Sequence, residues 1–132
     1  MDKQKTAGLR VITDGEFRRS YWHLDFMWGL NGVERRTSRT GYMFHDEETT
    51  ADTAVVTGPI SGESHPFVEH FKFVKALEGE AHVARQTIPA PIQTFSEVTL
   101  DRCDGQQESL RAAYKTDEEL ADAIAAAYRT VI

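Results

Sequence analysis

The run Gly8-Leu9-Arg10-Val11-Ile12-Thr13-Asp14-Gly15-Glu16-Phe17-Arg18-Arg19 places a helix end, a strand and a turn in direct succession. Gly8 after a short polar stretch reads as the glycine that closes a helix, because it takes the left-handed conformation without a Cβ penalty. Residues 9–13 then read as a buried strand, and Asp14-Gly15-Glu16 as the turn that leaves it. The chain is therefore expected to begin inside a helix. It is also expected to carry two carboxylates at a strand's carboxyl end.

Working outward, residues 20–30 crowd Tyr21, Leu24, Phe26, Met27, Trp28 and Leu30 along one expected helix, stopped by Asn31-Gly32. Residues of about 33–54 mix charges, threonines and Gly41, and read as an irregular hairpin excursion. A strand is expected at 55–60, interrupted by Gly58-Pro59. Ser64 is then expected to cap a helix over 64–77 with a stripe of Phe67, Phe71, Val74 and Leu77. Residues 81–88 form the next expected strand, parallel and adjacent to 9–13, and Pro89-Ala90-Pro91 ends it because proline cannot continue a ladder. An irregular stretch to Lys115 follows. Thr116 with Glu119 three residues on is a capping box that opens an alanine-rich helix carrying Leu120, Ile124, Ala127, Tyr128 and Val131.

Strands alternating with helices imply α/β architecture built from parallel βα units. A closed (β/α)8 barrel needs about 250 residues, so this 132-residue chain is expected to be one partial barrel domain over 1–132, a segment of something larger. Its open strand edges should favour a homo-oligomer.

The net charge of −6, from 15 Lys plus Arg against 21 Asp plus Glu, argues against a nucleic-acid binder. The sequence has neither a stretch apolar enough to span a membrane nor a signal-peptide core, so no membrane partner and a cytoplasmic location are expected. Cys103 stands alone; it can form no internal disulfide and reads as a bystander rather than a metal ligand.

Chemistry concentrates at the first turn. Asp14 and Glu16 are set to face one pocket across Gly15, with Arg18 or Arg19 fixing their charge state; the plain alternative is a surface turn whose acids pair with those arginines. Tyr21, Trp22, Phe26 and Trp28 suit either an aromatic wall or core, core being the expectation. His23 and Asp25 beside them suit a substrate contact or an ordinary hydrogen bond. His65 and His70 sit about 140° apart around a helix at about 100° per residue, which does not suit a shared metal. His45-Asp46-Glu47-Glu48 reads as a solvated acidic loop.

The opening run, followed by Trp22, Asp25-Phe26 and Leu30-Asn31-Gly32-Val33, resembles the catalytic-domain family of cobalamin-independent methionine synthase, and within it the short single-barrel members. His65-Pro66-Phe67, Thr87-Ile88-Pro89-Ala90-Pro91 and Ala126-Ala127-Tyr128-Arg129 match the same family in order. The resemblance implies part of a (β/α)8 TIM barrel of the methionine synthase/uroporphyrinogen decarboxylase-like type. It further implies methyl transfer from methyltetrahydrofolate to the homocysteine thiol in methionine biosynthesis, with zinc lowering the thiol pKa in the complete enzyme.

The resemblance implies that Glu16 holds the amino acid substrate; from their places in the sequence, Asp14 is a candidate substrate-binding residue beside it, and Arg18, Trp22, His23, Asp25, Pro89 and Pro91 are candidate pocket residues. The family's zinc ligands, a histidine, a glutamate and two cysteines on later strands, have no counterparts here. No catalytic residue and no bound zinc are therefore expected of this chain, and it should be inactive alone. Two rivals remain: another zinc-dependent alkyl-to-thiol transferase of the epoxyalkane to coenzyme M type, or a non-catalytic, self-associating binding module or relic.

Overall fold

The computed structural model describes residues 1–132, apart from the side chains at positions 44, 47 and 48. In chain order its elements are α1 (Asp2–Thr6), β1 (Val11–Ile12), α2 (Leu24–Gly29), β2 (Asn31–Thr37), β3 (Met43–Phe44), β4 (Glu47–Glu48), β5 (Asp52–Ser61), α3 (Pro66–Ala76), β6 (Val83–Ala84), α4 (Pro91–Thr99), α5 (Gln106–Ala113) and α6 (Asp117–Val131).

The alternation read from the sequence holds where it matters for the site. The chain starts in a helix, and Gly8 turns it with φ +80°. β1 and β6 are adjacent and parallel, Val11 opposite Val83 and Ile12 opposite Ala84, with α3 between β5 and β6 in sequence. Both strands are only two residues long. Gln4 of α1 lengthens the first: its amide accepts from Thr13 N and donates to Thr13 O, both at 3.0 Å, as a neighbouring strand would.

Several expectations are corrected. The hairpin read at 33–54 is present, but its arms are regular: β2 and β5 form the longest ladder, antiparallel from Thr37 opposite Asp52 to Val33 opposite Val56. β5 also runs through Gly58-Pro59. The register shifts between Asn31 and Val33, so this part of β5 bulges and Pro59, which has no N–H, leaves the pairing. Gly32 sits under the bulge with φ +76°, where a Cβ would lie 2.3 Å from Pro59 O. The described strands thus make three two-stranded ladders, β1–β6, β2–β5 and β3–β4, and only the first is parallel.

The stretch before Lys115 holds two helices. Pro91, expected to end a strand, is the first residue of α4, a position that needs no N–H donor. α5 presents Gln106, Ser109 and, at its C-cap, Tyr114 to backbone atoms of β5: Gln106 Nε2 to Ala54 O at 3.4 Å, Ser109 Oγ to Val56 O at 2.6 Å, and Tyr114 Oη from Ile60 N at 2.6 Å. The helix expected over 20–30 is confined to α2, because Asp25 Oδ2 accepts from Ser20 N and Tyr21 N and closes a separate turn ahead of it.

The cap of α3 is His65, not Ser64. Its Nδ1 accepts from Phe67 N at 3.1 Å, so Nε2 carries the proton and donates to Phe26 O at 2.9 Å. The capping box of α6 is present as expected: Thr116 Oγ1 accepts from Glu119 N, and Glu119 Oε2 accepts from Thr116 N.

Two apolar clusters result. The larger joins Leu24, Phe26, Met27 and Leu30 of the α2 region to Val56 of β5, Phe67 of α3, Leu110 of α5, and Leu120, Ile124 and Tyr128 of α6. The smaller, Ile12, Val74 and Ala84 with Phe71 beside them, lies under the β1–β6 pair. Among the described residues, no helix is long and apolar enough to cross a membrane.

Candidate functional site

Because β1 and β6 are parallel and in register, the segments leaving their carboxyl ends come together. Thr13, Asp14, Gly15 and Glu16 from the first, with Arg85 and Thr87 from the second, line a cavity of about 330 Å³. Its shape is set by local hydrogen bonds. Thr13 Oγ1 accepts from Gly15 N at 3.1 Å and Asp14 Oδ1 from Glu16 N at 2.9 Å. These bends hold Gly15 at φ +69° and carry Glu16, a residue with a Cβ, to φ +60°. That conformation is uncommon outside glycine and marks a backbone held by its surroundings.

Glu16 is gripped on one side only. Its Oε1 accepts from Thr87 Oγ1 and lies 3.1 Å from Arg19 Nη1. The Arg19 side chain is 2% exposed, donates from Nη2 to Thr87 O at 2.8 Å and from Nη1 to Trp22 O at 3.3 Å, and stacks 4.5 Å from the centre of the Phe67 ring. The Glu16 side chain remains 38% exposed, and no described group pairs with its Oε2. A fixed carboxylate with one oxygen open to a cavity is a receptor for a cation or an N–H donor.

Asp14 lines the same cavity, but both its oxygens are engaged, Oδ1 in the turn and Oδ2 with Arg18 Nη1 at 3.4 Å. The other sequence-predicted pocket residues lie elsewhere. Arg18 covers the Phe73 ring at 5.0 Å. Trp22 is half exposed and stacks on His23, Asp25 caps its turn, Pro89 is buried, and Pro91 opens α4. None of these lines the cavity. Arg85 and Thr87 were not singled out from the sequence. The signal was present in the parallel pairing of 9–13 with 81–88, which brings the residues that follow each strand side by side.

A second polar assembly went unread. Glu97 of α4 is 6% exposed; it accepts from Tyr42 Oη at 2.8 Å and Thr53 Oγ1 at 2.9 Å, with Arg102 Nε 3.6 Å away. Arg102 also covers the Tyr42 ring at 4.4 Å, and His23 Nε2 lies 3.3 Å from Tyr42 Oη. Burial, then the Glu97 bond, pushes the Tyr42 hydroxyl well above its ordinary range, and burial lowers His23. Tyr21 lies edge-on to His23 and to Trp28 and tilted against Tyr42, while Phe26 is fully buried, so these aromatics act as core and its rim.

The zinc implied by the family resemblance can be tested against the donors present. Among the described residues no three His, Cys, Asp or Glu side chains cluster, and buried Cys103 faces Gln106 Oε1 at 3.7 Å. These donors do not fit a zinc site. The acidic loop at 45–48 lies partly outside the described side chains.

No family model matches the sequence. Two Bacillus subtilis proteins of uncharacterised function are similar over 120 residues each: YxjG, 39% identical over 91% of this chain and 29% of its own, and YxjH, 41% identical over 87% and 32%. A solved structure from Listeria monocytogenes, provisionally assigned as a vitamin B12-independent methionine synthase, superposes with a TM-score of 0.68 at 37% identity. It covers 99% of this chain, which covers 33% of that one. The chain thus spans about a third of the length of the relatives it matches, and over that third its fold is methionine-synthase-like.

Proposed function

We propose that this chain forms the amino-acid-binding strand ends of a methionine-synthase-like methyltransferase, a partial (β/α)8 barrel in which a methyl group passes from methyltetrahydrofolate to the homocysteine thiol. The observation that carries this reading is the Glu16 carboxylate: Arg19 and Thr87 hold Oε1, and Oε2 is left to the cavity. An ammonium group there would gain a charge-assisted hydrogen bond of about 1.5–3 kcal/mol. Asp14 shapes the turn and adds negative potential. Thr87 and Arg19 keep the receptor from rotating, so less freedom is lost on binding.

The similarity to the Listeria monocytogenes protein supports the same reading. Since the described donors do not fit zinc, no step of thiol activation or methyl transfer is assigned to them. Their contribution is to bind and orient. The open carboxylate oxygen also favours an ammonium-bearing thiol over coenzyme M, whose sulfonate would meet Glu16 with like charge.

Calorimetric titration of the chain with L-homocysteine tests the proposal. Binding is expected, and Glu16→Gln should weaken it by roughly tenfold or more, since 1.4 kcal/mol is a factor of ten. Equal affinity in the variant would overturn the assignment, and a chain that binds no small thiol would point to the non-catalytic, self-associating module.

A further inference from the structure

Parallel pairing with β1 uses only one side of the β6 backbone. Val83 N donates to Arg10 O and Arg85 N to Ile12 O, so Ala84, between them, turns its N–H and C=O away from β1. Half of that outer edge is plugged. Glu78, in the loop after α3, folds back and accepts from Ala84 N through Oε1 at 2.8 Å, while Lys75 Nζ lies 2.5 Å from Oε2 and anchors the carboxylate. Among the described residues nothing bonds Ala84 O. Beside this edge lies an apolar cavity of about 550 Å³ walled by α3 and the end of α6, with Phe67, Phe71, Ala84, Ile88 and Val131 on its lining. Gln86, two residues along the same edge, buries both polar atoms of its side-chain amide with no partner among the described residues. Native folds seldom bury an amide unpaired, so a single copy leaves this seam unfinished.

We infer that the outer edge of β6 is a docking surface for a second copy of this chain, and that Glu78 is the guard that keeps this docking weak. The surface lies along the side of the strand, away from the Glu16 cavity, and does not depend on the amino-acid reading. Its chemistry is self-complementary. With an outward donor and an outward acceptor on one residue, two copies related by a two-fold axis at Ala84 exchange two backbone bonds, as in an antiparallel hydrogen-bonded pair. A second copy matches that pattern by symmetry alone. The register that follows sets Val83 of each copy opposite Arg85 of the other. Val83 is 59% exposed, and Arg85 is exposed with no carboxylate partner among the described residues, so the Arg85 stem covers the valine while its guanidinium stays in water. Ala84 packs toward Val74 of α3, so the two-fold keeps both α3 helices on one face and the two apolar cavities meet across it. Docking must first expel Glu78. Ala84 N then exchanges a charged acceptor for a neutral one, roughly half as strong, which is how a charge on a strand edge opposes edge-to-edge pairing.

Sedimentation equilibrium of the full chain gives the dimer dissociation constant. Glu78→Ala frees Ala84 N in both copies and should lower that constant by about tenfold or more; Glu78→Gln keeps a neutral acceptor and should lower it less. An equimolar mixture of Val83→Cys and Arg85→Cys chains maps the contact. Positions 83 and 85 of opposite copies form a non-hydrogen-bonded pair with Cα atoms about 4.5 Å apart, within disulfide reach, so oxidation should join them. Cys103 is buried and should stay reduced. A dimer no tighter in Glu78→Ala than in the wild type overturns the inference, and so does a mixture that associates without the 83–85 cross-link, since another face then carries the contact. Where Glu78→Ala fails to fold, the mixed chains decide alone: the cross-link supports β6 edge pairing, and its absence sinks it.

Discussion

Arg19 Nη2 donates to the Thr87 carbonyl oxygen at 2.8 Å and thereby joins the segment after β1 to the segment after β6. The same guanidinium holds Glu16 Oε1 and is almost wholly enclosed, so the candidate receptor and the strand junction depend on one side chain. Arg19→Met should lower stability by about 2 kcal/mol, the cost of losing the charged hydrogen bonds to Thr87 O and to the part-exposed Glu16. Denaturant unfolding checks this. Arg36→Met, whose guanidinium and Glu34 partner are both exposed, serves as the control and should cost far less.

Glu97 should prove a stability determinant rather than a bystander on α4. Two hydroxyl donors and Arg102 surround its buried carboxylate, so Glu97→Ala orphans all three and should cost about 3 kcal/mol. Tyr42→Phe removes one of those bonds and should cost about 1 kcal/mol. Equal melting temperatures for wild type and Glu97→Ala would show that the assembly does not hold the β5–α4 junction.

His65 gives the fold a pH dependence of definite sign. Burial lowers its pKa, nearby His70 lowers it further, and the bond to Phe26 O opposes them without reversing the shift. The unfolded chain then binds more protons than the folded one just below the ordinary histidine range, so stability must fall as pH drops through about 6.5. His23, also lowered by burial, acts in the same direction. His65→Asn keeps a side chain that can cap α3 but removes the titration. The slope of unfolding free energy between about pH 7 and 5.5 should be shallower in that variant.

Thr116→Ala removes the acceptor for Glu119 N at the start of α6 and should cost about 1 kcal/mol. Thr116→Ser should restore most of it, which thermal unfolding of the pair would show.

Self-association is the expected outcome for the isolated chain. The short β1–β6 ladder leaves Val11 and Val83 45% and 59% exposed beside open strand edges. Sedimentation velocity should show dimers or larger species, and Val83→Lys should shift them toward monomer. A wild-type chain that stays monomeric across the concentration range would refute this.

The elements readable from the sequence were those whose reasons are local. Gly8 ends α1 because it alone avoids a Cβ penalty at φ +80°, the Thr116–Glu119 box spans one helical turn, and the Asp14–Glu16 turn is built from bonds two residues apart. The pairing of β1 with β6 was legible too, since the helix before β6 returns the chain for a strand parallel to the first. α5 was not, because the buried face of its first turn is Gln106, which bonds Ala54 O and the backbone at 102 and 103, so no apolar period marks it.

Glu16 could be named from the sequence alone, but what its two oxygens do could not. Thr87 reaches Glu16 across 71 positions of chain, and Arg85 borders the same cavity from the same strand end. Glu97 likewise depends on Tyr42 and Thr53, which the β2–β5 hairpin delivers. Local hydrogen bonds and side-chain patterns decide which elements form, because their partners lie within a turn or two along the chain. Which carboxylate is buried, and which guanidinium is left free, follows from strand register between distant segments, and that is settled only when the whole chain packs.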